Sequence, residues 1–310
     1  MSGRLSAWMI LVVLLSLGVQ TVAAAMNDED AEPTPGPRGP TRPVLFQIRY
    51  LPSFQSRTDF SQADGSVASR RQDLSGTAVI FLPEQRGRLL LTGSYDWLEF
   101  RFRDNEVLEG RLKEARAFGL NAVYLADVSE KWSIFAIGGL QTAAESGASL
   151  GNDRAYNGSA LAQYQLRDNL QIGMGFIAMD HWDEGRRFFP IASVDWRVTE
   201  RLGVQTSRGL NVRYRLDERG HWIASWNTEF FSQYIRLNDE GEGAGGIFRS
   251  RAIVSSLSML YQPNPGMTFG AEVGTSLWRS LRIRDPERQT VFRSRTETGL
   301  SGALIASLTF

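Results

Sequence analysis

The sequence predicts an all-β protein, a transmembrane antiparallel up-and-down β-barrel of 12–14 strands with short turns at one end and longer loops at the other. Three observations lead there. The chain ends in a ten-residue alternating segment, Ser301 to Phe310. Counting in twos puts Phe310, Leu308, Ala306, Leu304 and Gly302 on one face, the period of a strand with an apolar side. Similar alternating segments recur about every 20 residues from Val44 onward, longer than the 5–6 residues usual in soluble sheets. The chain also opens on the pattern of an export signal.

That signal spans residues 1–25. A short n-region with Arg4 precedes an apolar run from Ala7 to Val19, and Ala23-Ala24-Ala25 offers a cleavage site. Residues 26–42 follow as an acidic, proline-rich leader, with Asp28, Glu29, Asp30 and Glu32 before Pro33, Pro35, Pro37 and Pro40. Such composition cannot bury enough apolar surface to order itself. Residues 43–310 are then the barrel. The expected location is the cell outer membrane, with both termini in the periplasm.

Composition agrees. No stretch after the signal reaches the 18 or so apolar residues of a membrane helix. The chain nevertheless holds 30 Gly, 8 Trp, 8 Tyr and 17 Phe, as suits strands that are apolar on one face only. The absence of cysteine excludes a lipoprotein anchor, disulfides and thiolate metal sites. The 34 basic residues match the 34 acidic ones, which argues against a nucleic-acid partner.

Hairpin turns separate the strands in pairs. Residues 67–82 and 88–102 flank Pro83-Glu84-Gln85-Arg86-Gly87, and 112–126 and 131–144 flank Asp127-Val128-Ser129-Glu130. Residues 154–166 and 169–180 flank Arg167-Asp168, residues 188–198 and 201 onward flank Thr199-Glu200, and 248–261 and 267–282 flank Pro263-Asn264-Pro265-Gly266. The intervening connections, 55–66, 103–111, 145–153, 181–187, 237–247 and 283–290, are longer and polar. Short periplasmic turns and longer external loops are the habit of bacterial barrels. Leu202 to Leu216 keeps one apolar phase and reads as a single strand, which gives an odd count of 13. A hairpin at Ser207-Arg208-Gly209 restores an even 14; if instead one of these short pieces stays outside the wall, the answer is 12. Lipid-facing sets are Leu170, Ile172, Met174, Phe176 and Ala178, and Trp222, Ala224, Trp226, Phe230 and Tyr234.

The opposite phase carries charge of both signs: Arg49, Asp195, Arg197, Arg213, Arg215, Glu229, Glu272, Arg295 and Glu297. These are the candidate lumen residues. They line a pore, or they close a narrow barrel by Arg–Glu pairing. Balanced signs argue against strong ion selectivity. Catalysis finds little support. His181 adjoins Asp180, Asp183 and Glu184, and His221 follows Asp217, but no serine is committed to either and no Gly-x-Ser-x-Gly is present. No catalytic residue, metal or cofactor is expected. The expected function is a passive channel or small-molecule transporter of unknown cargo, with a structural or adhesive barrel as the alternative and a hydrolase as a distant third. Expected partners are outer-membrane lipid and the barrel-assembly machinery, for which Phe310 and Leu308 form the assembly signal.

Three stretches carry a family resemblance: Phe189-Pro190-Ile191-Ala192-Ser193-Val194-Asp195-Trp196-Arg197, Leu202-Gly203-Val204, and Leu210-Asn211-Val212-Arg213-Tyr214-Arg215-Leu216. Trp132 after its turn, and Tyr164-Gln165-Leu166 before Asp168-Asn169-Leu170, share the rhythm. Together they resemble an uncharacterised outer-membrane barrel family, a domain of unknown function, over about residues 44 to 310. The resemblance implies the barrel fold and brings no activity and no catalytic residues. Family members often carry a proline near Arg208, where this chain has Thr206-Ser207-Arg208-Gly209.

Overall fold

The computed structural model describes residues 44–82, 87–109, 111–150, 154–181, 185–206, 209–240 and 244–310. The expected signal and leader lie outside these residues, as do 207–208 and 182–184.

The described chain forms one antiparallel sheet closed on itself. Its strands are β1 (Val44–Asp59), β2 (Ser66–Phe81), β3 (Arg88–Arg103), β4 (Glu114–Asp127), β5 (Trp132–Glu145), β6 (Arg154–Arg167), β7 (Leu170–His181), β8 (Gly185–Arg197), β9 (Leu202–Thr206), β10 (Gly209–Arg215), β11 (Trp222–Arg236), β12 (Ile247–Asn264), β13 (Met267–Arg284), β14 (Thr290–Thr296) and β15 (Gly299–Thr309). Each strand from β1 to β13 pairs with the next in sequence, β15 pairs with β13 instead of β14, and β1 pairs with β15 to close the ring. The last two segments share one place in the wall. β15 pairs with the first part of β13, Met267–Ser276, and β14 with the rest, Arg279–Arg284. The wall therefore has 14 positions, which settles the count at the upper end of the expected range. β9 and β10 are separate antiparallel strands, so the apolar phase that runs unbroken through Leu202–Leu216 folds back on itself. Gly209 sits where a Cβ would run into the Thr228 carbonyl, so the hairpin needs a glycine there to lie against β11.

The ends are less unequal than the sequence implies. β1 runs on to Asp59 and β8 begins at Gly185, so the connections 60–65 and 182–184 are short. The near end, which holds Val44 and Phe310, carries the turns 128–131, 168–169, 198–201 and 265–266.

The outer surface is that of a wall facing lipid. Ile48, Leu74, Leu91, Leu120, Ile172, Met174, Phe176, Leu257, Val273 and Leu304 all point out and are exposed, Met174 by 77%. So continuous an apolar surface is not found on water-soluble monomers. Near the terminal end it carries aromatics, including Trp132 beside Tyr164 (4.9 Å between rings) and Trp222 beside Tyr261 (4.6 Å). Such a girdle marks a membrane interface. Two expected lipid-facing residues depart from it. Phe230 is buried against Trp278, and the hydroxyl of Tyr234 accepts a bond from Arg251 at 3.1 Å. Beyond Glu229, β11 keeps its pairing with β12 but has no further pairing with β10, and its end turns toward β5, where Arg236 pairs with Ala144 in parallel.

Closure at the termini rests on two backbone bonds, Phe46 N–H to Phe310 C=O (3.0 Å) and Phe310 N–H to Phe46 C=O (2.9 Å). Deleting Phe310 removes both, each worth about 1 kcal/mol net in water and more where no water substitutes. The truncated chain is expected to yield less heat-modifiable barrel in the membrane fraction, read by the gel mobility of unheated against boiled samples. A yield equal to that of the full chain would contradict this.

Candidate functional site

The interior falls into three levels, fixed by which residue types each strand turns inward. At the far end the lumen is filled. Phe60, Val67, Leu98, Phe100, Phe102, Leu108, Leu112, Ala115, Ala117, Ala143, Ile235, Leu237, Phe248, Leu281, Ile283 and Phe292 form one buried apolar cluster. The connection between β3 and β4 folds into the mouth to supply Leu108 and Leu112. Glu145 at the end of β5 ties the lid together, accepting the backbone N–H of Leu112 and that of Asn238 (3.0 Å).

Below the plug lies a charged level. Arg71 on β2 donates to Asp96 on β3 (2.7 Å) and to Asp73 (3.2 Å), and its guanidinium stands 5.9 Å from the centre of the Phe231 ring. Asp73 and Asp96 are directly opposite in register, and one arginine serves both. Arg49 lies within electrostatic reach of Asp73, Glu272 and Glu229, and Arg71 within reach of Glu229. The Ser256 hydroxyl donates to Glu272. Three of the expected lumen residues, Arg49, Glu229 and Glu272, are therefore brought together here. Arg71, Asp73 and Asp96 were not anticipated. Their inward phase becomes legible only with the β2–β3 register. At the boundary with the plug, buried Arg279 donates to two neutral acceptors, Ser250 Oγ (3.3 Å) and Gln55 Oε1.

The third level is a cavity of about 490 Å³ at the near end, on the inner side of β4–β10. Asp195, Arg197, Arg213 and Arg215 line it, as expected of lumen positions, with Gln163, Gln165, Gln171, Gln205 and Asn211. Gln205 Nε2 donates to Asp195 at 3.4 Å. This amide-rich lining was invisible in a search for charge alone.

Arg295 and Glu297 are not in the lumen. Both are exposed on the outer side, and Thr296, Ser294 and Phe292 turn inward instead. Counting in twos from Phe310 fails at Glu297-Thr298, where the wall strand breaks between β15 and β14. Its neighbours shift phase at the same level: β1 carries an extra residue between Gln55 and Thr58, and Leu277 is extra on β13. Each irregularity exchanges the inward and outward sets beyond it.

Outside the wall, Asp217 in the turn before β11 accepts the backbone N–H groups of Trp222 (2.7 Å) and His221 (3.2 Å), and these bonds hold its carboxyl below the usual range. His221 Nδ1 stands 3.7 Å from the same carboxylate. The side chain of His181 lies outside the described residues.

Fold and interior together define a closed 14-strand transmembrane barrel with a plugged far end and, at the near end, a chamber lined by both polar and apolar side chains. Residues 88–310 match the family described as Domain of unknown function (DUF6268), and the chain belongs to that family. No curated protein matches it. Among solved structures, the KdgM porin aligns over 85% of this chain and 99% of its own, with 10% identity and a TM-score of 0.38. An outer membrane channel from Pseudomonas putida F1 aligns over 88% and 100%, with 13% identity and a TM-score of 0.45. A Pseudomonas aeruginosa FadL homologue aligns over 86% and 88%, with 10% identity and a TM-score of 0.41. These are distant likenesses of architecture.

The pairing of Arg71 should govern stability more than any surface pair. Asp96→Ala leaves the arginine in the lumen with a weaker partner and is expected to cost about 3 kcal/mol, the usual result of breaking a buried pair. Glu99→Ala removes an outward pair with Arg101 (2.7 Å), whose arginine is 57% exposed, and should change stability by about 0.5 kcal/mol or less. Denaturant unfolding of refolded protein compares the two; equal losses would contradict the assignment.

Proposed function

We propose that this protein is an outer-membrane barrel that passes small molecules without catalysing their conversion. The near end, which holds Val44 and Phe310, is taken as periplasmic, and the plugged end as external. The observation that carries the reading is the cavity of about 490 Å³ inside a closed wall, where amides and charges from β6 to β10 stand beside apolar side chains such as Phe135, Leu161 and Ile191. That volume falls within the range of about 300–1,000 Å³ typical of small-molecule sites. A barrel serving only as a scaffold has no need of such a chamber, because inward side chains of this wall could fill it as they fill the far end. Phe310 and Leu308, on the exposed face of the closing strand, suit recognition by barrel-assembly machinery.

A second reading has its own observation. The packed cluster at the far end, with Val67, Leu108, Leu112, Ile235, Phe248 and Leu281 all wholly inaccessible, fills the axis there among the described residues. On that reading the barrel is structural and the chamber is a blind recess.

Liposome swelling with refolded protein separates the two. Transport predicts faster entry for some solutes small enough for the chamber, with a size limit, over protein-free vesicles. No acceleration for any solute in a series graded by size and polarity would overturn the transport reading and favour the structural one.

A further inference from the structure

The wall is incomplete on one side. β9 has 5 residues and β10 has 7, between neighbours of 13 and 15. β8 pairs with β9 only from Val194 to Arg197, and β11 pairs with β10 only from Ile223 to Glu229. Beyond the hairpin, Gly185–Ser193 has no strand beside it on that flank among the described residues. The far part of β11 is drawn away toward β5. Seven residues rising about 3.3 Å each, tilted by about 40°, climb roughly 18 Å, while the apolar band of such barrels is about 25 Å tall. The hairpin therefore stops inside the hydrocarbon.

The bare edge of β8 is adapted to this. Arg197 N–H points to the β7 side, bonding Asn169 C=O, and Val194 N–H points to the β9 side, bonding Thr206 Oγ1. Directions alternate along a strand. The nitrogen of Pro190 therefore faces the gap, and proline has no N–H to leave unsatisfied there. Proline within a sheet belongs on an unpaired edge, and backbone left unpaired at membrane depth is tolerated where it lines a cavity.

A cavity is what lies behind. Its lining climbs β8 from Arg197 through Ser193 and Ala192 to Ile191, past Val194, the last residue paired with β9. Beside the gap the inner face is apolar, where Ile177 and Met179 are buried and Phe189 and Ile191 pack on them. Lower down the lining is Gln171, Gln205, Asn211, Arg213 and Arg215.

We propose that the gap between β8 and β11, above the β9–β10 hairpin, is a lateral opening through which a small amphiphile passes between the cavity and the bilayer. The apolar body meets Ile177, Phe189 and Ile191 beside the opening; the polar head meets the amides and arginines below. This names the route and the substrate class for the transport proposed above and rests on that reading for its physiological sense, though the opening is testable by itself.

The test uses full-length wild-type protein in liposomes with an aryl diazirine dissolved in the bilayer and glutathione in the water to scavenge aqueous reagent. After photolysis, labelled residues are located by mass spectrometry. Ile191 and Phe189, inward but beside the gap, should be labelled at the level of outward Met174, and roughly tenfold above Phe100 in the close-packed plug. Octyl sulfonate should suppress labelling at Ile191 and leave Met174 unchanged, and inorganic sulfate should do neither. Labelling confined to outward residues overturns the opening; labelling of Ile191 that octyl sulfonate leaves unchanged overturns the amphiphile. Solute entry without labelling of Ile191 keeps the transport reading and sinks the lateral route. Labelling of Ile191 with no solute entry supports the opening while transport fails.

Discussion

Everything in this molecule follows from one constraint: hydrocarbon offers no partner to a backbone N–H or C=O, so a sheet that crosses it must close. The seam between β1 and β15 meets that demand, and it determines much else. An antiparallel ring whose first strand starts and last strand ends at one rim needs an even number of wall positions. The chain has 15 strand segments, and parity is restored because β14 and β15 lie end to end along β13. The short hairpin β9–β10 follows the same logic. It contributes two positions to the ring and too little length to either, which is why the bare edge of β8 and the inward lean of β11 occur together.

The second organising feature is a belt of irregularities at one height. β1 is bulged near Ser56-Arg57, β13 at Leu277, and the last wall strand at Glu297-Thr298. A bulge in one strand alone would set its side chains against the pattern of its neighbours. Three adjacent strands shifting together exchange inside and outside coherently. Below the belt these strands turn Arg49 and Glu272 inward; above it they turn in Phe60, Leu281, Ile283 and Phe292 and put Arg293 and Arg295 outside. These strands thus line the charged level below the belt and a dry core above it. The joints of the belt are held by polar contacts, among them Gly299 N–H to Ser276 Oγ (3.2 Å) and Leu300 N–H to Ser56 Oγ (3.0 Å).

These two features mark where the amino-acid sequence is legible and where it is not. Period-2 patterning located nearly every strand and the exposed faces of β7 and lower β11, because one-sided burial writes itself into alternation. The hairpin at Ser207-Arg208-Gly209 came from parity, a global argument, since the local pattern through Leu202–Leu216 is continuous. Arg295 and Glu297 were misplaced because a count in twos carries no sign of an odd residue. Phe230 and Tyr234 differ from expectation because the far part of β11, past its pairing with β10, turns toward β5 and changes what its outer face meets without changing its pattern. Arg71, Asp73 and Asp96 required the register of β2 on β3. Only that pairing puts two carboxylates opposite each other with an arginine between them.

The two axial barriers differ in how each could open. The charged level consists of ion pairs beside a polar chamber, and a solute bearing hydrogen-bonding groups can exchange partners with Arg71 or Glu229 at modest net cost. The apolar plug has no such exchange. Parting it means exposing side chains such as Phe248, Leu108 and Leu281, at about 2 kcal/mol each, so a passage that uncovers several costs on the order of 10 kcal/mol. It would also break the hold of Glu145 on Leu112 and Asn238. The side of the barrel presents no comparable barrier. There the wall is already unpaired, Pro190 reduces the number of orphan donors, and the chamber reaches the edge. On the lateral route proposed above, the cheaper way out of the chamber is through the wall, which makes the short hairpin, and not the charged lumen, the feature on which passage depends.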